Sequence, residues 1–169
     1  VGLLSRNVYI SGTEDSTTSQ YGAHVMLHGT TEEGMIARIE FAEFSLCGQG
    51  KVVDRHCLLF KQNGDLDGSY VRGNSLHDSF SSLVVVQESG NLPIVNNVGF
   101  KSRSHGIYLE TGGEMGNTIE NNLIASTEPS WYVLELPTSF LLKHPFNVLK
   151  GNRAAGSAAY GIQFLLPDK

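Results

Sequence analysis

Short apolar stretches alternate with polar turns along this chain, and from Tyr70 onward they recur with a period. Four phrases, YVRGNSLHDSF, PIVNNVGFKSR, NTIENNLIAST and NVLKGNRAAGS, place Asn74, Asn97, Asn122 and Asn152 at equivalent positions, 23, 25 and 30 residues apart. Each is followed by a second apolar stretch: SLVVVQES, HGIYLETG, SWYVLELP and YGIQFLLP. Short strands repeating at this interval predict a coiled solenoid. An asparagine at one corner of each coil can bond its amide to the amide of the next, so a ladder runs along the axis. The expected fold is all-β, a right-handed parallel β-helix of one domain over residues 1–169.

Earlier in the chain the pattern is less regular. Gly2–Ile10 and Tyr21–His28 read as strands flanking the polar loop of residues 11–20, and Thr30–Gly34 as a turn. Ala37–Leu46 reads as one alternating strand with Ile39, Phe41, Phe44 and Leu46 inward. Leu58–Phe60 reads as a short strand before the loop Asn63–Gly68. Ser139–Lys143 reads as a helical turn or an insertion at the edge of a coil. Val1 starts almost within a strand and Asp168-Lys169 carries no cap. The expectation is a piece of a longer protein, or ends covered by a partner.

Composition narrows the function. With 40% hydrophobic and 17% charged residues, 169 residues can fold around a real core. The net charge of −5 and the lack of a Lys/Arg cluster argue against nucleic acid. Apolar runs of about six residues are too short to span a membrane. Cys47 and Cys57 lie ten apart on different strokes of the coil. Two buried free thiols are favoured there over one disulfide.

None of the six histidines has the spacing of a helical metal site, so no metal ligands are assigned. Each is expected at the surface or in a turn, with His105 the exception to watch. Asp65 with Asp67, and Glu110 with Glu114, lie in Gly-bounded turns. Such pairs could act as glycosidase acid and base or ligate calcium, though solvated turn acids are the favoured reading. Trp131 beside Tyr132 offers a sugar-stacking platform, with packing inside a coil favoured over it.

These motifs resemble a known family. VGLLSRNV (1–8) resembles the start of the β-helix in the cell-migration-inducing hyaluronidase, the transmembrane cell-surface hyaluronidase and the fibrocystins. Gly22-Ala23-His24-Val25 resembles that family's G-G-H-[IV], and Glu43-Phe44 with Cys47-Gly48-Gln49 its E-[LF]-x-x-x-G-Q. Gly64-Asp65, then His105–Gly112, then Asn117-Thr118 with Asn121-Asn122-Leu123, then Ala154–Ser157 with Gly161, follow in the family's order.

The departures bear on activity. Where enzyme-like members carry R-Y-P-I-H-F-H, this chain has Arg55-His56-Cys57-Leu58-Leu59-Phe60-Lys61, so Leu59 and Lys61 stand at two histidine positions. Gln87 stands at a third. Leucine transfers no proton, and lysine is a poor metal ligand at neutral pH.

The resemblance therefore implies a non-catalytic extracellular or cell-surface β-helix that binds a glycan such as hyaluronan, or a protein partner, or is structural. The competing reading is a hyaluronan-degrading hydrolase working with Asp65, His105 and Glu110, without a cofactor or with calcium. Arg55, Lys61, Arg72, Lys101 and Arg103 are the candidate anion-binding residues. A sequence pI near 5.6 supplies no long-range attraction for a polyanion.

Overall fold

A computed structural model describes residues 2–29, 35–130 and 135–166. Among the described residues, seventeen strands fall into three parallel sheets. The first holds β1 (Val8–Ser11), β4 (Ala42–Ser45), β7 (Ser75–Ser79), β10 (Val98–Arg103), β13 (Leu123–Glu128) and β16 (Arg153–Ala155). The second holds β2 (Val25–His28), β5 (Leu58–Asp65), β8 (Val84–Gly90), β11 (Ile107–Leu109), β14 (Thr138–Leu142) and β17 (Tyr160–Phe164). The third holds β3 (Arg38–Glu40), β6 (Tyr70–Arg72), β9 (Pro93–Val95), β12 (Thr118–Glu120) and β15 (Val148–Lys150). Every third strand returns to the same sheet, one step along. The fold is a parallel β-helix.

The asparagine ladder is present. Nδ2 of Asn74 donates to Oδ1 of Asn97 at 3.1 Å, Asn97 to Asn122 at 3.0 Å, and Asn122 to Asn152 at 3.0 Å. The same Oδ1 atoms accept the backbone N–H of the preceding rung's asparagine. The second amide hydrogen goes to a carbonyl of the preceding coil, that of Ile39, Val71, Ile94 or Ile119. The corner turn leaves backbone groups without a strand partner, and the amides satisfy them. A second, shorter ladder at another corner joins Asn117 to Asn147.

The residue before each ladder asparagine is left-handed: Gly73 (φ +64°), Asn96 (+57°), Asn121 (+54°) and Gly151 (+64°). Glycine and asparagine are the residues that tolerate this turn. In the first coil Phe41 takes that position, at φ +51°. Residues 37–46 are therefore two strands joined by a corner, and Phe41 points to solvent rather than inward.

Side chains from the three sheets fill the tube. Val71, Ile94 and Ile119 stack from the third sheet, Phe44, Leu76 and Ile124 from the first, and Phe60, Val86, Leu109 and Leu142 from the second. Three other expectations change. β5 runs eight residues, to Asp65. The expected turn at 139–143 is β14, buried throughout. The polar loop of residues 11–20 contains a single helical turn, α1 (Ser16–Ser19). The Thr30–Gly34 turn, Val1 and Asp168-Lys169 lie outside the described residues.

Asn97→Leu takes one partner each from the Asn74 and Asn122 amides, and from the Asn74 N–H and the Val71 carbonyl. We expect a loss of about 1–3 kcal/mol in urea unfolding. An effect near zero would place Asn97 outside the ladder.

Candidate functional site

Alternate residues of the second sheet point away from the tube. One outward row runs Leu59, Val85, Tyr108 and Leu141, and these form an apolar cluster separate from the main core. The next row begins Lys61 and Gln87, which are paired in register, and continues to Glu110, whose N–H bonds the carbonyl of Val86. Two parts of the chain stand beside these rows: the loop between Cys47 and Cys57, and Ser130 with Glu135. Between them lies a cleft of about 440 Å³. Its lining includes Asp54, His56, Tyr108, Glu110, Glu135 and the serines Ser81, Ser82 and Ser104.

The first loop is closed by a disulfide. Cys47 and Cys57 are bonded, with Cα atoms 4.8 Å apart, and both are fully buried. The expected free thiols are not found. The ten-residue excursion leaves one corner of the coil and returns to it, which brings its two ends together. The loop thus carries Asp54 and His56 on a short tether.

Charge in the cleft is paired in two groups. Lys61 Nζ donates to Asp54 Oδ2 at 2.5 Å, while Gln87 Nε2 donates to Asp54 Oδ1 at 2.9 Å and to Glu110 Oε2 at 2.5 Å. One amide therefore spans both carboxylates. Lys143 Nζ donates to Glu135 Oε1 at 2.8 Å and to the Tyr108 hydroxyl at 2.7 Å, and that hydroxyl donates to Glu135 at 3.1 Å.

The two linked carboxyls titrate in opposite directions. Burial raises the pKa of Glu110, the charge of Asp54 adds to it, and the Gln87 bond only partly opposes. Burial acts upward on Asp54 too, but the bonds from Lys61 and Gln87 outweigh it and its pKa falls. Burial holds His56 at about 4, and it is neutral at physiological pH. Its Nδ1 meets Ser81 Oγ at 2.9 Å. Burial also raises the pKa of Tyr108, so it stays a protonated phenol.

The expected catalytic trio is not assembled. Glu110 lines the cleft. His105 is wholly buried under Tyr108, 4.6 Å between ring centres, and burial lowers its pKa to about 4. Neither ring nitrogen of His105 bonds anything among the described residues. Asp65 is exposed at the far end of β5, accepting from Asp67 N–H and Asn91 Nδ2. Glu114 is buried rather than solvated, and it caps the turn by accepting from the N–H groups of Glu88, Thr111 and Gly112. His56 is buried, contrary to the surface expectation, and so is His105, the histidine excepted from it.

The five basic residues do not form one patch. Lys61 lies in the second sheet, Arg72 in the third and Lys101 and Arg103 in the first, with Arg55 in the disulfide loop. Arg72 is paired with Glu40 at 2.6 Å and stacked on Tyr70, and Lys101 lies 3.8 Å from Asp78. Trp131 and Tyr132 lie outside the described residues. The sequence reading missed Asp54, His56, Tyr108, Glu135 and Lys143 as a group. Its one available signal was Asp54-x-His56 immediately before a coil strand.

A sequence model described as CEMIP beta-helix matches residues 20–139. Mouse fibrocystin-L is 27% identical over 161 residues, 92% of this chain and 4% of that protein. Human cell surface hyaluronidase CEMIP2 is 28% identical over 210 aligned positions, covering 98% of this chain and 15% of that protein. Dictyostelium discoideum protein rliB is 29% identical, covering 97% and 16%. The chain thus spans under a fifth of the length of these relatives.

Two outcomes follow from the cleft. Replacing both Cys47 and Cys57 with serine removes a short-loop cross-link, and unfolding should fall by about 2–3 kcal/mol. A change below about 0.5 kcal/mol would mean the loop ends are held without the bond. For Glu110, a folded pKa above the ordinary 4.5 favours folding below that pH, and the advantage is lost as pH rises through the folded value. Glu110→Gln should therefore gain stability relative to the parent as pH climbs from 4.5 towards 7. A pH-independent difference would show that Glu110 is not buried beside Asp54.

Proposed function

Because the chain belongs to the CEMIP β-helix family, we infer that it is an extracellular β-helix module that binds a glycan in the cleft on its second sheet and does not cleave it. The observation that carries this is the state of the three positions matched to family imidazoles. Leu59 is fully buried in an apolar row, Lys61 is held by Asp54, and Gln87 joins Asp54 to Glu110. No side chain at these positions can accept a proton from a sugar or water.

What remains suits recognition. Carboxylates, an amide, a phenol and serine hydroxyls line one concave surface together with Val52 and Val53, the mixture with which proteins orient polar ligands. Lys61 and Lys143 are already paired with Asp54 and Glu135, while the exposed Lys51 at the rim carries no ion pair among the described residues. One such cation attracts a polyanion only weakly, while neutral hydroxyls can share the existing bonds.

One observation favours cleavage instead. Asp54 and Glu110 have pKa values driven apart, as a base and an acid would require. Against it, one amide occupies both carboxylates, so neither is open to a glycosidic oxygen. A hydrolase would need Gln87 to withdraw.

The test is incubation with high-molecular-weight hyaluronan and with neutral polysaccharides, followed by gel sizing and affinity electrophoresis. Retention without shortening is expected, and Asp54→Asn should weaken retention about tenfold or more, as loss of a charge-assisted bond does. Shortening that Glu110→Gln abolishes would overturn the reading in favour of an enzyme. Absence of retention for every polysaccharide would overturn it in favour of a structural role.

A further inference from the structure

We propose that Asp54, His56 and Glu110 form a binding site for a first-row divalent cation of the zinc type, at the point where the disulfide loop meets the second sheet. One ligand atom from each of these residues lies within 4.8 Å of the other two. A cation seated among them could be reached by all three with small rotations. Two carboxylates and one neutral imidazole match the charge of a dication and mix oxygen with nitrogen donors.

Three further observations point to a ligand. His56 is more than nine-tenths buried yet lines the cleft. Its Nδ1 is engaged by Ser81 Oγ, the one side-chain hydrogen bond its ring makes among the described residues, which leaves Nε2 for a ligand. That is the division of labour of a metal-binding histidine, in which a neighbour fixes the tautomer and ring angle and leaves the other nitrogen to the metal. In addition, the Gln87 amide nitrogen bridges Asp54 Oδ1 and Glu110 Oε2. A partial positive charge thus holds the place where a cation would join the two carboxylates, and a bound metal would displace it. Lys61 sits on the other oxygen, Asp54 Oδ2, and need not move.

The donor set also selects among metals. Calcium prefers six to eight oxygen ligands, and one imidazole with two carboxylates is a poor match. Zinc binds with three protein ligands and one open position. Here that position opens into the cleft, where water or a sugar hydroxyl can fill it. Glycan binding without metal would leave the preceding proposal standing, so the two fail separately.

The test is calorimetric titration of chelator-treated full chain with Zn²⁺, and separately with Ca²⁺. We expect one zinc per chain and no comparable calcium heat. His56→Ala and Glu110→Gln should each weaken zinc at least tenfold, and Ser81→Ala by about 10–100-fold through loss of ring positioning. His28→Ala, at an exposed histidine on Gln62, should change nothing. Should His56→Ala fail to fold, cobalt(II) added to the unaltered protein decides the matter, since ligation in this site predicts visible d–d absorption that zinc displaces. Absence of zinc binding, binding that survives both ligand substitutions, or cobalt without those bands would overturn the proposal.

Discussion

The fold depends on one repeated hydrogen bond, the amide of an asparagine on one coil meeting the amide of the next. Each of Asn74, Asn97, Asn122 and Asn152 serves as a fixed point in a coil. The sheets that follow keep register from that corner, despite insertions that stretch the coil from 23 to 30 residues. Extra chain is expelled as loops rather than absorbed as slippage, because a slip of one residue would turn every inward side chain outward.

That rule also makes the cleft. In a stack of parallel coils, residues far apart in sequence fall into rows at strand spacing. Lys61, Gln87 and Glu110 form such a row, and Leu59, Val85, Tyr108 and Leu141 the row beside it. Neither row alone is a site. The site arises because the Cys47–Cys57 loop and Glu135 stand beside the rows. The loop, pinned by its disulfide, carries an acid and an imidazole at a fixed height. Rigidity comes from the coils and variety from the loops.

The solenoid was readable because its signal is repeated. Asparagine recurs at one corner, preceded by glycine or asparagine where the backbone turns left-handed, and valine, isoleucine and leucine recur inside. Where a coil breaks that rule the reading failed. Phe41 occupies the left-handed corner of the first coil, so residues 37–46 looked like one continuous strand. Thr138–Leu142 is buried on both faces and lacks the alternation that marks a half-exposed strand. The site was less readable still. Glu110 and Lys61 could be named because coil period places them. Asp54 and His56 could not, since their position depends on how a non-repeating loop folds back, and the cysteine pairing that settles it follows from three-dimensional proximity rather than spacing. His105 was singled out by its motif, yet its place in the coil turns it inward.

Coil register sets Gln87 and Glu110 against each other across 23 residues of sequence. A double-mutant cycle with Gln87→Ala and Glu110→Ala, read by urea unfolding at pH 7, tests it directly. The register predicts a coupling energy of about 0.5–3 kcal/mol between the two positions. Additive effects, within about 0.3 kcal/mol, would contradict the row, and with it the cleft.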